Sequence, residues 1–473
     1  MLTYDLDRRG KLARYDYLYR CIREDILAGR LTAGEKLPSK RSLASHLQTA
    51  VITVENAYAQ LEAEGYLYTR EKRGYYVADV ERHPAAPRRV PAQSAPQPQR
   101  SWLLDLSSGG SGTEGFPFSV WAKLMRRVLS EEGEALLRAT PPNGADALRK
   151  AIAQHLYRFR GISAAPEQIV VGAGTEYLYN LIVQLLGREA VYGVEDPGYS
   201  KAARIYALGG ARTAPVLVDE GGVSLKSLEM SGAQILHTSP NHQFPTGAVT
   251  PIGRRQSLLR WAEAREGRYI IEDDYDSEFR FTLRPIPTLQ SIDRAGRVIY
   301  VNTFSRTLAP SLRISYMVLP KSLTERYRAQ LGFYSSTVPA MEQYTLARFL
   351  DEGFFEAHIN RMRKSYRAQR DAVIDTILQS PLGEHCRVSG EDAGLHFLLT
   401  IDTKCTDHVL RTDAEGRGVR LSFLSDFALR PGSAPQHTLV IHYPGIELGR
   451  LRSALSILEA LLYFRDWKYK GKK

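Results

Sequence analysis

Five short segments hold residues whose types and spacing suit a planar, phosphate-bearing ligand. Val171-Gly172-Ala173-Gly174-Thr175 ends a strand pattern and opens a helical one. Glycines there let backbone N–H groups close on an anion, and the helix dipole adds attraction. Glu195-Asp196-Pro197-Gly198-Tyr199 presents an aromatic ring after a sharp turn, suited to stacking on a flat pyridine ring. His242-Gln243-Phe244-Pro245-Thr246-Gly247 follows another strand pattern. In Glu272-Asp273-Asp274-Tyr275 a carboxylate can hold a pyridine nitrogen protonated, which makes the ring an electron sink. The phenol of Tyr275 can reach a ring hydroxyl. Thr303, Ser305 and Arg313 supply two hydroxyls and a bidentate cation for a phosphate. Arg306 stands among them. A guanidinium stays protonated at physiological pH, so Arg306 is neither a nucleophile nor a useful base.

Any one of these segments reads equally as a turn, a core tyrosine or a surface acid. Five in one order, all at strand ends, point to one site, because ligands of α/β sheets gather at the carboxyl ends of strands. The elements that must position them follow the same pattern. From Leu103 to about Tyr463, short apolar runs ending in Gly, Pro or Asp alternate with helical patterns: QIVVGAG then TEYLYNLIVQLLG, AVYGVEDPG then YSKAARIYALGG, QILHTSP, RYIIEDDY. Such alternation predicts parallel α/β units.

The N-terminal region is organised differently. Tyr15, Leu18, Tyr19, Ile22 and Ile26-Leu27 fall on one helical stripe that Gly29 closes. Ser39 is placed to cap a second helix through Lys40, Arg41 and Leu43, with Leu43 and Leu47 pointing inward. Thr53 to Glu64 reads as a third helix burying Val54, Ala57, Tyr58 and Leu61, and Tyr66–Val77 as a hairpin turning at Glu71–Gly74. Helix, helix-turn-helix and hairpin make a winged helix, whose third helix enters a major groove while the wing touches phosphate.

Between the two regions, 81–99 reads RHPAAPRRVPAQSAPQPQ after Glu81, a proline-rich stretch that cannot bury a core and should run as an extended linker. The expected domains are therefore 9–80, a linker at 81–101, and 102–473. A length of 473 residues suits two or three domains, and 43% hydrophobic with 24% charged residues is ordinary for a globular chain. No apolar run approaches the roughly 20 residues that span a bilayer, and Cys21, Cys386 and Cys405 lack any CxxC spacing. The expectation is reduced thiols in a cytoplasm, with neither membrane nor metal site. The net charge of +11 supports a nucleic-acid partner weakly: residues 1–80 carry thirteen basic against eleven acidic side chains, while the tail RDWKYKGKK alone adds about +4.

GRLTAGEKLPSKRSLASHL, TVENAYAQLEAEGYLY and the RGYYV wing resemble the winged-helix domain of the GntR regulators. The resemblance implies that Arg41 contacts duplex DNA with Ser39 and Lys40 beside it. It puts Thr53 and Asn56 on the groove-facing helix and Arg70, Lys72, Arg73 and Gly74 in the wing. Residues 103–463 resemble the fold-type-I aminotransferases that use pyridoxal 5'-phosphate (PLP), and the whole chain is similar to the MocR-type regulators, which fuse the two modules. The resemblance implies an α/β fold: a winged helix, a linker, then a mainly parallel sheet with a smaller C-terminal α+β part. It further implies a homodimer, head-to-tail, and an amino-acid-like effector. Carried over, Gly174, Thr175, Thr303, Ser305 and Arg313 bind phosphate, Tyr199 stacks on the ring, Asp273 pairs with its nitrogen and Tyr275 reaches its hydroxyl.

The departures from that pattern matter equally. Arg306 occupies the slot of the lysine that attaches the cofactor covalently, which leaves no catalytic residue there. Phe244 fills the slot of an asparagine, Ser315 that of a glycine, and Val440 that of an arginine that grips a substrate carboxylate. Ala50 and Val51 replace a Ser-Arg pair expected on backbone phosphate, so non-specific DNA affinity should be weaker and less salt-dependent. The reading is a transcriptional regulator that binds PLP non-covalently, another anion, or nothing. Two alternatives remain open: a PLP-dependent aminotransferase, or a lysine-to-arginine substituted form of a PLP-binding regulator.

Overall fold

The structure is a computed structural model that describes residues 2–10, 12–71, 73–80, 101–107, 115–281 and 286–465. Lys72, nearly all of the expected linker and the basic tail beyond Arg465 lie outside the described residues. The chain divides into two compact units, 1–100 and 101–473.

In the first unit, α1 (Arg14–Leu27), α2 (Lys40–His46) and α3 (Val51–Ala63) precede a hairpin of β1 (Leu67–Arg70) and β2 (Gly74–Val77). Leu18, Ile22, Ile26, Leu43, Val54, Tyr58 and Leu61 are buried in one core, because their 3.6-residue spacing puts them on facing helix stripes. Ser39 caps α2 as expected, accepting the Ser42 N–H at 3.1 Å, an interaction worth about 1 kcal/mol. Three details differ from the expectation. Tyr15 is 44% exposed, since a stripe that wide overruns the contact face, and Leu47 is the C-cap of α2 and only partly buried. α3 also starts two residues earlier, behind Ala50, which offers no side-chain cap.

The second unit is built on an eight-stranded sheet. In chain order its strands are β3 (Ile169–Gly172), β4 (Val191–Asp196), β5 (Arg212–Asp219), β6 (Gly222–Val223), β7 (Ile235–Thr238), β8 (Tyr269–Asp273), β9 (Val298–Thr303) and β10 (Ser315–Val318). Their spatial order is β3-β10-β9-β8-β7-β4-β5-β6. β9, β8, β7, β4 and β5 are parallel neighbours, while β10 runs antiparallel between β9 and β3. Gly172, Asp196, Thr238, Asp273 and Thr303 thus end their strands along one edge of the sheet. Strands buried on both faces explain the continuous apolar runs: β9 and β10 are buried at every position. Helices α4 (Asp146–Arg160), α5 (Thr175–Leu186), α6 (Ser200–Leu208) and α7 (Phe354–Leu378) are among those that flank the sheet in sequence. The expected C-terminal α+β part holds an antiparallel sheet of β11 (Cys386–Ser389), β12 (His396–Ile401) and β13 (Thr438–His442), followed by the helix Leu448–Arg465. Among the described residues no helix is long and apolar enough to cross a membrane.

Candidate functional site

At the strand-end edge of the large sheet, a cavity of about 90 Å³ is lined by Thr175, Tyr199, Asp273, Tyr275, Thr303 and Arg306 from the expected set. Local rules deliver each of them. β3 stops at Gly172, the left-handed Gly174 (φ +92°) turns the chain, and Thr175 starts α5. Tyr199 precedes α6, Asp273 ends β8, and Thr303 ends β9 with Arg306 in the short helical turn Phe304–Thr307. Gly174, Ser305 and Arg313 do not line that cavity. The Arg313 guanidinium instead packs against the glycine turn: a methyl group at Gly174 would fall 2.4 Å from its Nη2. That arginine is half-exposed, has φ +51°, and donates to Glu176 Oε2 at 3.1 Å.

Asp273 is the best-fixed group of the site. Its Oδ2 accepts the Tyr179 hydroxyl at 2.5 Å and lies 3.4 Å from His237 Nε2, whose Nδ1 is 2.6 Å from the Tyr206 hydroxyl. Its Oδ1 is buried and has no partner. The Ser305 hydroxyl is likewise buried and unpartnered. The Thr303 hydroxyl, by contrast, is taken up by protein groups: it accepts Ser305 N–H at 3.1 Å and the Ser315 hydroxyl at 2.7 Å. The serine in place of a glycine at 315 therefore locks Thr303. Burial pushes the Tyr199 phenol up to about 12, and burial with Asp276 raises Tyr275 well above its usual range, so both stay protonated. The Tyr275 hydroxyl stands 3.1 Å from His242 Nδ1.

Arg306 is exposed and faces a group of neutral rings. Burial, and then Arg306, draws His442 down to about 4, and burial with His242 and His442 draws His396 well below its usual value. Phe244 packs 5.3 Å from His396 and 4.9 Å from Phe427, and Val440 is fully buried in the neighbouring apolar cluster with Leu398 and Leu424. Among the described residues no lysine lines the cavity; Lys201, just after the stacking tyrosine, is 62% exposed and 3.6 Å from Glu176. Tyr179, Ser239 and His237 were not foreseen. The signal for Tyr179 was present: it lies four residues after Thr175 on one helix face.

In the first unit, Arg41, Asn56, Arg70 and Arg73 are exposed and Thr53 is partly so. Lys40 is not a free cation: its Nζ bonds Glu55 Oε1 at 2.6 Å and lies 5.7 Å from the Tyr75 ring, tying α2 to α3 and the wing. The Arg70 guanidinium sits 5.5 and 4.9 Å over the Tyr68 and Tyr76 rings. Gly74 opens β2 with φ +101°. At the start of α3, Val51 and Ile52 are 43% and 58% exposed, an apolar pair that helix patterning alone would have buried.

Comparison with known proteins gives both units a context. Residues 14–77 match the gntR family of bacterial regulatory proteins, and 103–409 match the class I and II aminotransferases. The HTH-type transcriptional regulator YdeL of Bacillus subtilis is 37% identical over 97% of this chain and 99% of its own. The probable rhizopine catabolism regulatory protein MocR of Rhizobium meliloti is 33% identical, covering 96% and 95%. The kynurenine aminotransferase of Pyrococcus horikoshii superposes with a TM-score of 0.68 over 79% of this chain and 92% of its own, at 21% identity, a likeness of fold. With a gntR-type winged helix followed by an aminotransferase-like domain, and with these regulators similar to it along nearly its whole length, the chain belongs to the MocR-type family of HTH-type transcriptional regulators.

Proposed function

We propose that the protein is a dimeric, DNA-binding regulator whose aminotransferase-like domain senses a ligand without turning it over. Residues 9–80 read DNA, 81–101 link, and 102–473 dimerise head-to-tail and hold the ligand, PLP or an amino-acid-like effector. The observation that carries this is a pocket with a partner-free carboxylate oxygen on Asp273 and, among the described residues, no amine on its walls. PLP, when bound, supplies an electron-withdrawing ring and an aldehyde. The residues present fit its two polar ends: Asp273 Oδ1 suits a protonated ring nitrogen, and Thr175 with the Arg306 cation on the cavity wall suits a phosphate, the free Ser305 hydroxyl and Arg313 lying outside that lining. Tyr199 gives the ring a stacking surface, and protonated Tyr275 donates to its hydroxyl.

Covalent attachment needs a nucleophilic amine, and Arg306 is not one. Proton transfer needs a base, and guanidinium is a poor one. Arg306 instead gives the pocket a fixed positive charge toward a carboxylate or phosphate. Val440 withdraws the cation that a transaminase substrate would meet. The site is thus suited to reversible electrostatic recognition.

On the DNA side, Arg41, Asn56 and Arg73 are, among the described residues expected to contact DNA, exposed and free to meet a duplex, with Arg70 held in the wing by its two tyrosines. Lys40 acts by positioning α2, and Val51 and Ile52 present methyl groups of the kind that contact thymine in a major groove. A gel shift on the region upstream of the protein's own gene tests the reading. Wild type should retard that duplex over a scrambled one, and Arg41→Ala should lose about 1–3 kcal/mol of specific affinity. Equal binding of both duplexes by both proteins refutes it.

A further inference from the structure

A second cavity in the large unit, of about 270 Å³, shares no lining residue with the Arg306 pocket. Three elements build it: the last turns of α4, the chain following β8, and the first turns of α7. Helical spacing sorts its walls. Phe355 and Ile359 on α7, with Phe159 on α4, give an apolar side, and Glu356 and Arg363 on α7 a charged one. The His155 and Phe159 rings lie one turn apart, tilted by 30° with centroids 4.9 Å apart.

Four polar atoms here are buried without a partner: Nδ1 of His155, Oε2 of Glu278, Oε2 of Glu356 and Nε of Arg280. Buried polar groups are otherwise paired, so four around one cavity need an occupant. The other charges are already matched. Arg160 lies 3.3 Å from Asp274 and 3.6 Å from Glu278 Oε1, and Arg363 donates to the Glu278 carbonyl at 3.2 and 2.9 Å. Glu356 Oε1 is 3.8 Å from His155 Nδ1, too far for a hydrogen bond yet close enough for the imidazole to hold the carboxyl below its usual range.

We infer that this cavity is a second ligand site, for a small zwitterion with an apolar body, of the chemical class of the branched and aromatic α-amino acids. The ligand carboxylate meets Arg280, its ammonium meets the free oxygens of Glu356 and Glu278, and its body lies on Phe159, Phe355 and Ile359. A ligand with one charge alone leaves either the free carboxylate oxygens or the Arg280 Nε–H unmet. The volume is close to the lower end, roughly 300 Å³, of small-molecule sites. The site also borders the first one along the chain. Asp273 and Tyr275 line the Arg306 pocket, while Ser277, Glu278 and Arg280 line this cavity. Asp274 between them is fixed by Asn241 at 2.8 Å, Tyr300 at 2.6 Å and Arg160. A ligand here bears on the segment that carries Asp273 and Tyr275.

Calorimetric titration of the full-length protein, freed of PLP, with L-leucine and L-phenylalanine tests this independently of the cofactor reading. One of the two should bind. Its single-charge analogues, the corresponding carboxylic acid and amine lacking the other group, should bind about tenfold more weakly or worse. Glu356→Gln and Arg280→Met should each cost about tenfold or more, and Arg306→Ala less than about twofold. No binding heat from either amino acid overturns the inference and leaves a water-filled cavity. Loss of binding in Arg306→Ala with retention in Glu356→Gln also overturns it, and puts the ligand in the first pocket. Equal affinity for the single-charge analogues on the wild type, which needs no variant to fold, overturns it too.

Discussion

Asp273→Asn separates cofactor recognition from fold stability, because the two respond in different ways. In the free protein Oδ2 is held by Tyr179 at 2.5 Å with His237 nearby, while Oδ1 is buried without a partner. An asparagine can keep its carbonyl toward Tyr179 and put its amide where Oδ1 stood. It removes a buried negative charge, and the unmatched atom it leaves is a neutral one. Stability of the free protein should therefore change by less than about 1 kcal/mol. Binding of PLP loses a charge-assisted hydrogen bond to the ring nitrogen, worth roughly 1.5–3 kcal/mol. At about 1.4 kcal/mol per decade, that is a roughly 10- to 150-fold rise in Kd. Quenching of intrinsic fluorescence on titration with PLP measures the change, and a thermal melt measures stability. A carbocyclic analogue with C–H in place of the ring nitrogen should bind wild type and variant alike. A variant that binds PLP as tightly as wild type, or one that loses the analogue equally, refutes the pairing of Asp273 with the ring.

Arg306→Lys places an amine on the pocket wall, and its deprotonated form can attack an aldehyde where a guanidinium cannot. The variant should turn yellow with PLP and become borohydride-reducible at residue 306, while the parent does neither; a reducible adduct on the parent would point to Lys201. Arg255, fully buried, donates to the carbonyls of Thr250, Pro240 and Pro287 and to Asn241 Oδ1 at 2.7–2.9 Å, with Glu272 at 4.0 Å. Arg255→Met should cost about 3–5 kcal/mol in urea unfolding, since it strands those acceptors and a buried carboxyl. Burial, with Asp274 adding, raises the Glu272 carboxyl to about 7. A raised acid favours the folded state most below its unfolded value, so this share of stability is lost as pH climbs from about 4.5 to about 7. Glu272→Gln should flatten that slope in melts run across the range.

Much of this protein was set by its sequence, because the signals are local. The winged helix follows from stripes at helical spacing and from Ser39, whose hydroxyl caps α2 as expected. The large fold follows from apolar runs that end in turn residues. The candidate pocket follows because each of Thr175, Tyr199, Asp273 and Thr303 sits at a strand or helix end, and parallel strands bring those ends to one edge. That Arg306 cannot act as a nucleophile is a property of the residue type and needed no structure. Tertiary structure alone decided which groups are free and which are engaged. Lys40 reads as a free cation until Glu55 arrives from the next helix, and Thr303 as a free hydroxyl until Ser315 arrives from β10. β10 runs antiparallel between β3 and β9, and β3 is more than a hundred residues away in sequence; only that pairing brings Arg313 against the Gly174 turn. The second cavity is the extreme case. His155, Glu278 and Glu356 lie far apart in the chain, His155 and Glu356 about two hundred residues from each other, and belong to no common motif, so periodicity carries no trace of them. What joins them is the packing of two helix ends on the chain beyond β8, where burial strips water from charges that the sequence shows only as polar positions.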